Sequence, residues 1–333
     1  MTNNIAVITG GAGFIGSNLA EILLEKGYRV RVIDNFSTGR RQNLKTFEAN
    51  PNLEVVEADI NDGEKIRKCF ADADYVFHLA GLADIEPSIE NPASYFKANV
   101  DGTLNIMEIL RTARPQIKKI VYAASSSCYG IPAVFPTPED SEIKTEYPYA
   151  LTKNLGERIV LHWGKVYKLP VVSLRLFNVF GPRSRTSGAY GAVFGVFLAQ
   201  KLAGRPFTVV GDGTQTRDFT FVSDAAAAFL AAAESKIADE IFNVGTGNPQ
   251  SVNRLVNLLG GEAAYVPKRP GEPDCTQADI TKIKKLLKWE PKTTFEGGVK
   301  ILLENIDLWR EPPVWTPEKI EKATREWFAR LSA

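Results

Sequence analysis

The chain has 333 residues, 44% of them hydrophobic, and a formal net charge of +1. That length buries a large core in one large or two joined units, and the balanced charge argues against a nucleic-acid partner. The longest purely apolar run, Ala225 to Ala233, is too short to span a bilayer. Three widely spaced cysteines, Cys69, Cys128 and Cys275, suit a reduced cytoplasm better than a disulfide scaffold. Two histidines, His78 and His162, cannot build a typical metal site, and no secretory leader is expected from the first residues.

In chain order, Ile5 to Ile8 predicts a short buried strand. The turn Gly10-x-x-Gly13-x-x-Gly16 follows, then a helix over Ser17 to Lys26 that Gly27 ends. Strand, glycine turn and helix make a phosphate site, because glycine lets the backbone approach a pyrophosphate and the helix N-terminus offers N–H groups. A second strand, Arg29 to Ile33, ends on Asp34, where a dinucleotide fold needs an acid. A carboxylate there accepts the ribose hydroxyls of NAD and repels the 2′-phosphate of NADP. The loop Asn35 to Gly39 suits the adenosine side.

Leu53 to Ala58 predicts a third strand ending at Asp59-Ile60, Asp62 to Phe70 a short helix, and Tyr75 to Gly81 a fourth strand running into a turn. In an open α/β sheet ligands gather at these C-terminal strand ends. His78 reads as a satisfied buried histidine. Ser94 to Thr112 predicts one long helix containing Asn99, apolar on more than one face. Ile120 to Ala124 and Val171 to Leu176 are the fifth and sixth strands. The alternation predicts a doubly wound parallel sheet, with 1–180 as the nucleotide-binding domain. Residues 181–333 read mainly as a smaller substrate lobe, with a helix around Tyr190 to Ala203, strands at Phe207 to Val210 and Phe219 to Val222, and Phe242 to Gly245 returning to the main sheet. The tail carries Trp289, Trp309, Trp315 and Trp327, a Pro312-Pro313 break, and a last helix, Thr316 to Leu331, that reads as surface-exposed.

Two stretches carry chemistry. The fifth strand ends in Ser125-Ser126-Ser127-Cys128-Tyr129-Gly130, and Tyr147-Pro148-Tyr149-Ala150-Leu151-Thr152-Lys153 comes later. Tyr149 and Lys153 are four apart, so a helix starting near Pro148 stacks them on one face. A tyrosine of pKa near 10 serves as a base near neutrality after a shift of about three units, or roughly 4 kcal/mol. One positive charge about 4 Å away at an effective dielectric of 20 supplies roughly that much. Lys153 is one such charge and an oxidised nicotinamide another. A serine hydroxyl at the sheet edge holds the substrate oxygen in line. Cys128 reads as packed and inert.

With these motifs in place, the chain resembles the extended short-chain dehydrogenase/reductase superfamily, in its nucleotide-sugar epimerase/dehydratase branch. The shared motifs are Thr9 to Gly16, Asp59-Ile60, His78 to Gly81, Asn99, Ser125 to Gly130, Tyr149-x-x-x-Lys153, Arg175 to Pro182, Gly211-Asp212-Gly213 and Arg217-Asp218-Phe219. The resemblance implies a tightly held NAD, reduced and reoxidised within one turnover, with Tyr149 taking the C4 hydroxyl proton and a 4-keto sugar turning over in the site. It assigns cofactor contacts to Gly10, Gly13, Phe14, Ile15, Gly16, Asp34, Asn35, Ser37, Asp59, Ile60, Leu79, Ala80, Gly81, Asn99, Tyr149, Lys153 and Phe177. Ser125, Tyr149 and Lys153 match the catalytic set. Ser125, Ser127, Asn178, Arg217, Arg269, Glu272 and Thr276 match substrate contacts, and the loop Arg183-Ser184-Arg185 adds positive charge.

Sugar 4,6-dehydratases of the branch carry Asp-Glu where this chain has Ser126-Ser127, and decarboxylases keep a glutamate at Ser127. The resemblance therefore implies a nucleotide-sugar 4-epimerase, on a UDP-hexose such as UDP-N-acetylglucosamine, UDP-glucose or UDP-glucuronate. Epimerisation at another carbon, or 4-dehydrogenation of a GDP- or CDP-sugar, are the other enzyme readings. A non-catalytic NAD-sensing regulator is a reading of a different class. Small Thr276 implies room for a C2 acetamido group, with the hydroxyl bonding its amide. A homodimer through Ser94–Thr112 and Tyr149–Val166 is also implied, with no membrane partner.

Overall fold

The computed structural model describes residues 4–113, 117–184, 193–310 and 314–331. The first half runs β1 (Ile5–Thr9), α1 (Phe14–Glu25), β2 (Arg29–Asp34), β3 (Leu53–Glu57), α2 (Gly63–Arg67), β4 (Tyr75–His78), α3 (Ile85–Glu90), α4 (Pro92–Phe96), α5 (Gly102–Ala113), β5 (Lys119–Ser125), α6 (Pro148–Tyr167) and β6 (Val171–Leu176). The second half runs β7 (Val179–Phe180), α7 (Val193–Leu202), β8 (Phe207–Val210), β9 (Thr216–Arg217), β10 (Thr220–Phe221), α8 (Val222–Glu234), β11 (Glu240–Val244), β12 (Gln250–Ser251), α9 (Val252–Leu259), β13 (Ala263–Val266), α10 (Thr281–Leu287), α11 (Phe295–Glu304), α12 (Pro317–Ala323) and α13 (Arg325–Leu331).

Seven strands pair in parallel in the order β11-β6-β5-β4-β1-β2-β3. Both faces are covered, so the central strands read as near-continuous apolar runs. Every residue of β5 is buried, whereas edge strand β3 leaves Glu54, Val55 and Glu57 exposed. One core lies between the sheet and helices α1 and α8. Another lies on the opposite face, under α5 and α6. The expected return of Phe242 to Gly245 is met by β11, which pairs with β6. A third core, rich in phenylalanine, unites Phe180, Phe194, Phe219, Phe221 and Phe295 in the lobe beyond the strand ends.

Three sequence-based expectations need correction. The helix expected over Ser94 to Thr112 is interrupted by a π-helical turn, Lys97–Asp101, between α4 and α5. Asn99 sits in that turn, and its side chain bonds the backbone of Leu82, a partner that regular winding was not read to serve. The strand expected at Phe219 to Val222 is only Thr220–Phe221, because Val222 begins α8. The last helix is two helices, and it is not a surface element: Ile320, Thr324 and Trp327 are buried. Arg185, the start of the helix expected from Tyr190, and Pro312-Pro313 lie outside the described residues.

Candidate functional site

The C-terminal ends of the sheet strands open into a cavity of about 510 Å³ that continues into the lobe. Gly10, Gly13, Phe14, Ile15, Gly16, Asp34, Asn35, Ser37, Asp59, Ile60, Leu79, Ala80 and Gly81 line one end. Gly10 has φ +71°, and a Cβ there would come within 2.7 Å of the Ala80 nitrogen. A Cβ on Gly16 would overlap the Gly10 carbonyl. Helix α1 starts at this turn with no side-chain cap, so its first N–H groups are left for a ligand.

Asp34 is buried and accepts from the Ala12 N–H at 2.9 Å and the Phe36 N–H at 2.8 Å. Burial raises its carboxyl, against the pull of those two donors. A Cβ on Gly39 would lie 2.7 Å from both carboxylate oxygens, so glycine is what lets the loop close over them. Each oxygen keeps acceptor capacity for a hydroxyl. Asp59 accepts from the Asn61 N–H, the Asn61 side chain and Asn35. Its carboxyl is lowered by these bonds in spite of burial. Glycine cradle, open helix end and buried acid fit a dinucleotide.

The middle of the cavity is built on α6. Pro148 begins the helix, and since Tyr147 provides no side-chain cap, Ser88 of α3 accepts the Tyr149 N–H at 3.1 Å. Tyr149 and Lys153 both line the cavity. Burial pushes the Tyr149 hydroxyl up to about 12; a hydrogen bond with Ser125 opposes this and the Asp84 charge adds to it. The Lys153 ammonium lies 4.6 Å from the Tyr122 ring centroid. Burial holds it down to about 8, and Glu157, one turn further along α6, pulls it up.

Glu157 is itself paired with Arg175 at 2.7 Å, both almost fully buried, and it accepts from Ser173 as well. Ser125 ends β5, with its hydroxyl 3.1 Å from that of Ser127. Ser127 in turn bonds the Tyr147 hydroxyl. His78 is neutral and structural, as expected. Thr103 spends its hydroxyl proton on the Asn99 carbonyl, so His78 Nε2 donates to it at 2.9 Å and Nδ1 accepts from Thr9 at 2.7 Å. Burial, then Lys153, lower its pKa to about 3. Cys128 is buried, its thiol pushed up to about 12.

The lobe end is lined by Asn178, Phe194, Phe197, Arg217, Arg269 and Glu272, among others. Glu272 lies between two guanidinium groups, 3.4 Å from Arg269 and 3.9 Å from Arg217. Arg183 lines the wall but is tied to Glu21 at 2.7 Å.

Five expected contacts do not line the cavity: Ser125, Ser127, Asn99, Phe177 and Thr276. Asn99 is buried behind it, its amide spent on Leu82 and Thr152. Phe177 is buried against Tyr129. Thr276 donates to Asn178 Oδ1 at 2.8 Å and accepts from the Asp218 N–H at 3.1 Å, so its proton is not available for an acetamido group. Sequence reading gave no role to Ser88, Tyr122, Glu157 and Arg175, the last of them named only within a motif. Of these, Glu157 was detectable, because it continues the four-residue spacing of Tyr149 and Lys153 on one helix face.

Doubly wound sheet, glycine cradle, ribose-side acid and the Ser-Tyr-Lys set together define an NAD-dependent enzyme of the short-chain dehydrogenase/reductase type. The model of the NAD-dependent epimerase/dehydratase family matches residues 6–245, and the chain belongs to that family. It is 38% identical over 302 residues to a putative UDP-glucose 4-epimerase of Methanocaldococcus jannaschii, covering 88% of this chain and 95% of the relative. It is 32% identical over 323 residues to a UDP-N-acetyl-α-D-glucosaminuronate decarboxylase of Bacillus cytotoxicus, covering 92% and 97%. Its structure is similar to that of the UDP-N-acetylglucosamine 4-epimerase of Methanobrevibacter ruminantium, with a TM-score of 0.85 and 33% identity over 92% of this chain and 100% of that one.

Proposed function

We propose that this protein is a nucleotide-sugar 4-epimerase acting on a UDP-hexose, with UDP-glucose, UDP-N-acetylglucosamine and UDP-glucuronate as candidate substrates. NAD, when bound, would supply a hydride acceptor and a positive charge. Gly10, Gly13, Gly16, Asp34 and Asp59 would hold it. Tyr149 exchanges a proton with the sugar O4 and Ser125 holds that oxygen in line. Asn178, Arg217 and Arg269 bind the nucleotide diphosphate, arginine suiting it by its planar fork.

The observation that carries the reading is the composition of the turn after β5. The resemblance places Ser126 and Ser127 where elimination or decarboxylation in this branch needs carboxyl groups, and Ser127 is occupied with Ser125 and Tyr147. The turn therefore supplies neither carboxyl group. The test is to incubate the purified protein with each UDP-hexose, without added redox partner, and follow the sugar by NMR. Appearance of the C4 epimer supports the reading; loss of water or CO2, or no turnover of any of them, overturns it.

We also propose two functional lobes, 1–180 and 181–333, a cytoplasmic location, which suits three unbridged thiols, and a homodimer. Phe96, Leu104, Leu151, Val166 and Tyr167 are large apolar side chains exposed on α4, α5 and α6, and a second copy would cover them. Light scattering that gives the monomer mass at micromolar concentration would overturn the dimer.

A further inference from the structure

Trp327 is fully buried, yet its neighbours are not an ordinary apolar core. Its indole N–H donates to the Pro270 carbonyl at 2.8 Å. The Arg269 guanidinium lies 5.8 Å from its ring centroid. The Tyr147 ring lies 6.1 Å away at 45°. Tyr147 is parallel to Tyr149 within 5° at 6.5 Å, and α13 packs on α3, whose Ser88 caps α6 at Tyr149. One indole therefore touches both the loop that carries Arg269 and Glu272 and the residues that open the Tyr149 helix. Trp309 makes a useful contrast: it fills the phenylalanine-rich core, and its indole N–H has no partner among the described residues.

We infer that Trp327 is a positioning residue for nucleotide-sugar binding, fixing Arg269 over the cavity by holding the Pro270 carbonyl and the guanidinium face. Arg269 and Glu272 line the cavity and Trp327 does not, so it acts through them. Arg269 reaches Glu272, and Glu272 reaches Arg217, so loosening one arginine disturbs the spacing of both. The C-terminal helix pair is then part of the substrate site and not a surface appendage. This inference rests on the nucleotide-sugar reading.

The test compares wild type, Trp327→Phe and Trp327→Leu by calorimetry with UDP, by KM and kcat on the best UDP-hexose, by bound NAD content and by melting temperature. Trp327→Phe keeps a ring and loses the Pro270 bond; Trp327→Leu loses both. UDP Kd and substrate KM are expected to rise about three-fold in the first and about ten-fold in the second, with kcat within about three-fold and NAD content unchanged. In a cycle with Arg269→Ala, the double variant with Trp327→Phe should bind UDP no more weakly than Arg269→Ala alone. Lowered melting temperature with UDP affinity within about two-fold of wild type, or additive losses in the cycle, would show a merely structural tryptophan and overturn the inference. If Trp327→Leu does not fold, Trp327→Phe and the cycle decide alone. Wild type that binds no UDP would instead overturn the nucleotide-sugar reading, and this inference with it.

Discussion

The Glu157 carboxylate sits one helical turn past Lys153 and is clamped by the Arg175 guanidinium at 2.7 Å, with both side chains almost wholly out of water. The pair therefore does two jobs. It joins α6 to β6, and its negative member raises the Lys153 ammonium against the effect of burial. Removing the carboxylate leaves Arg175 buried and uncompensated, which costs roughly 3 kcal/mol. Glu157→Gln is expected to lower stability by about that amount in urea unfolding. It should also move the alkaline limb of activity to lower pH, since burial then acts on Lys153 with less opposition. A variant with unchanged alkaline limb would show that Glu157 serves the fold alone.

Lys153 gives a stability prediction of definite sign. Its folded pKa, about 8, is depressed below the roughly 10.4 of an unfolded chain. Between those values the unfolded state binds more protons, so stability rises with pH. Below pH 8 the burial penalty is fully present. Across this window cofactor-stripped wild type should gain about 3 kcal/mol relative to Lys153→Met, a difference that cancels the opposing titrations of Cys128 and Tyr149 common to both. Urea unfolding at pH 7.5, 9 and 10 checks it. Activity should run the other way, falling above pH 8 as the ammonium loses its proton.

Tyr149→Phe tests the base directly. The phenol is buried and raised to about 12, and a positive charge supplied by NAD would lower it toward neutrality. Loss of a positioned general base costs roughly 10²–10⁴-fold in rate. The variant should turn over at least about 100-fold more slowly while NAD content, read by mass spectrometry of the denatured protein, stays the same. More than a tenth of wild-type rate would remove Tyr149 from the role.

What the chain reveals by itself is mostly local. The glycine turn, Asp34 and the Tyr149–Lys153 spacing are short-range patterns, and the cavity walls contain them all. Asn99 was misplaced because a motif position says nothing about which side of a wall the side chain faces; a π-helical turn points it at the Leu82 backbone. Ser88 capping α6 is a contact between residues 61 apart, and no spacing rule reports such a pair. The tail was misjudged for a related reason. Alternating charge on Thr316 to Leu331 is real, but Ile320, Thr324 and Trp327 are buried and dock the segment.

Asp34 should set cofactor choice. Its carboxylate is fixed by two backbone N–H groups and enclosed by Gly39, so it cannot swing away from a 2′-phosphate. Titration of stripped protein should show NAD bound at least about ten-fold more tightly than NADP. Asp34→Ala should narrow the gap, chiefly by weakening NAD. Arg40 lines the same end of the cavity but bonds Asn43 and the Arg183 carbonyl. Tighter binding of NADP by wild type would mean that Arg40, not Asp34, governs the site.

Thr276 is the position where sequence and structure lead to opposite experiments. A small residue there suggested a pocket for a C2 acetamido group. In the structure its hydroxyl donates to Asn178 and accepts from the Asp218 backbone, while Asn178, not Thr276, lines the cavity. Asp218 is a fully buried hub whose carboxylate accepts from the backbone of Thr246, Gly247 and Ala278. Thr276 thus joins a rigid centre to a wall residue. Thr276→Val keeps the volume and removes both bonds, leaving an N–H and an amide oxygen short of a partner, at roughly 1–2 kcal/mol. The loss should appear as a weaker hold on Asn178, felt by any nucleotide sugar. KM for UDP-glucose and UDP-N-acetylglucosamine should rise together, within about two-fold of each other, in whichever of the two the wild type accepts. A loss of about ten-fold or more confined to the acetamido sugar would restore Thr276 as its gate.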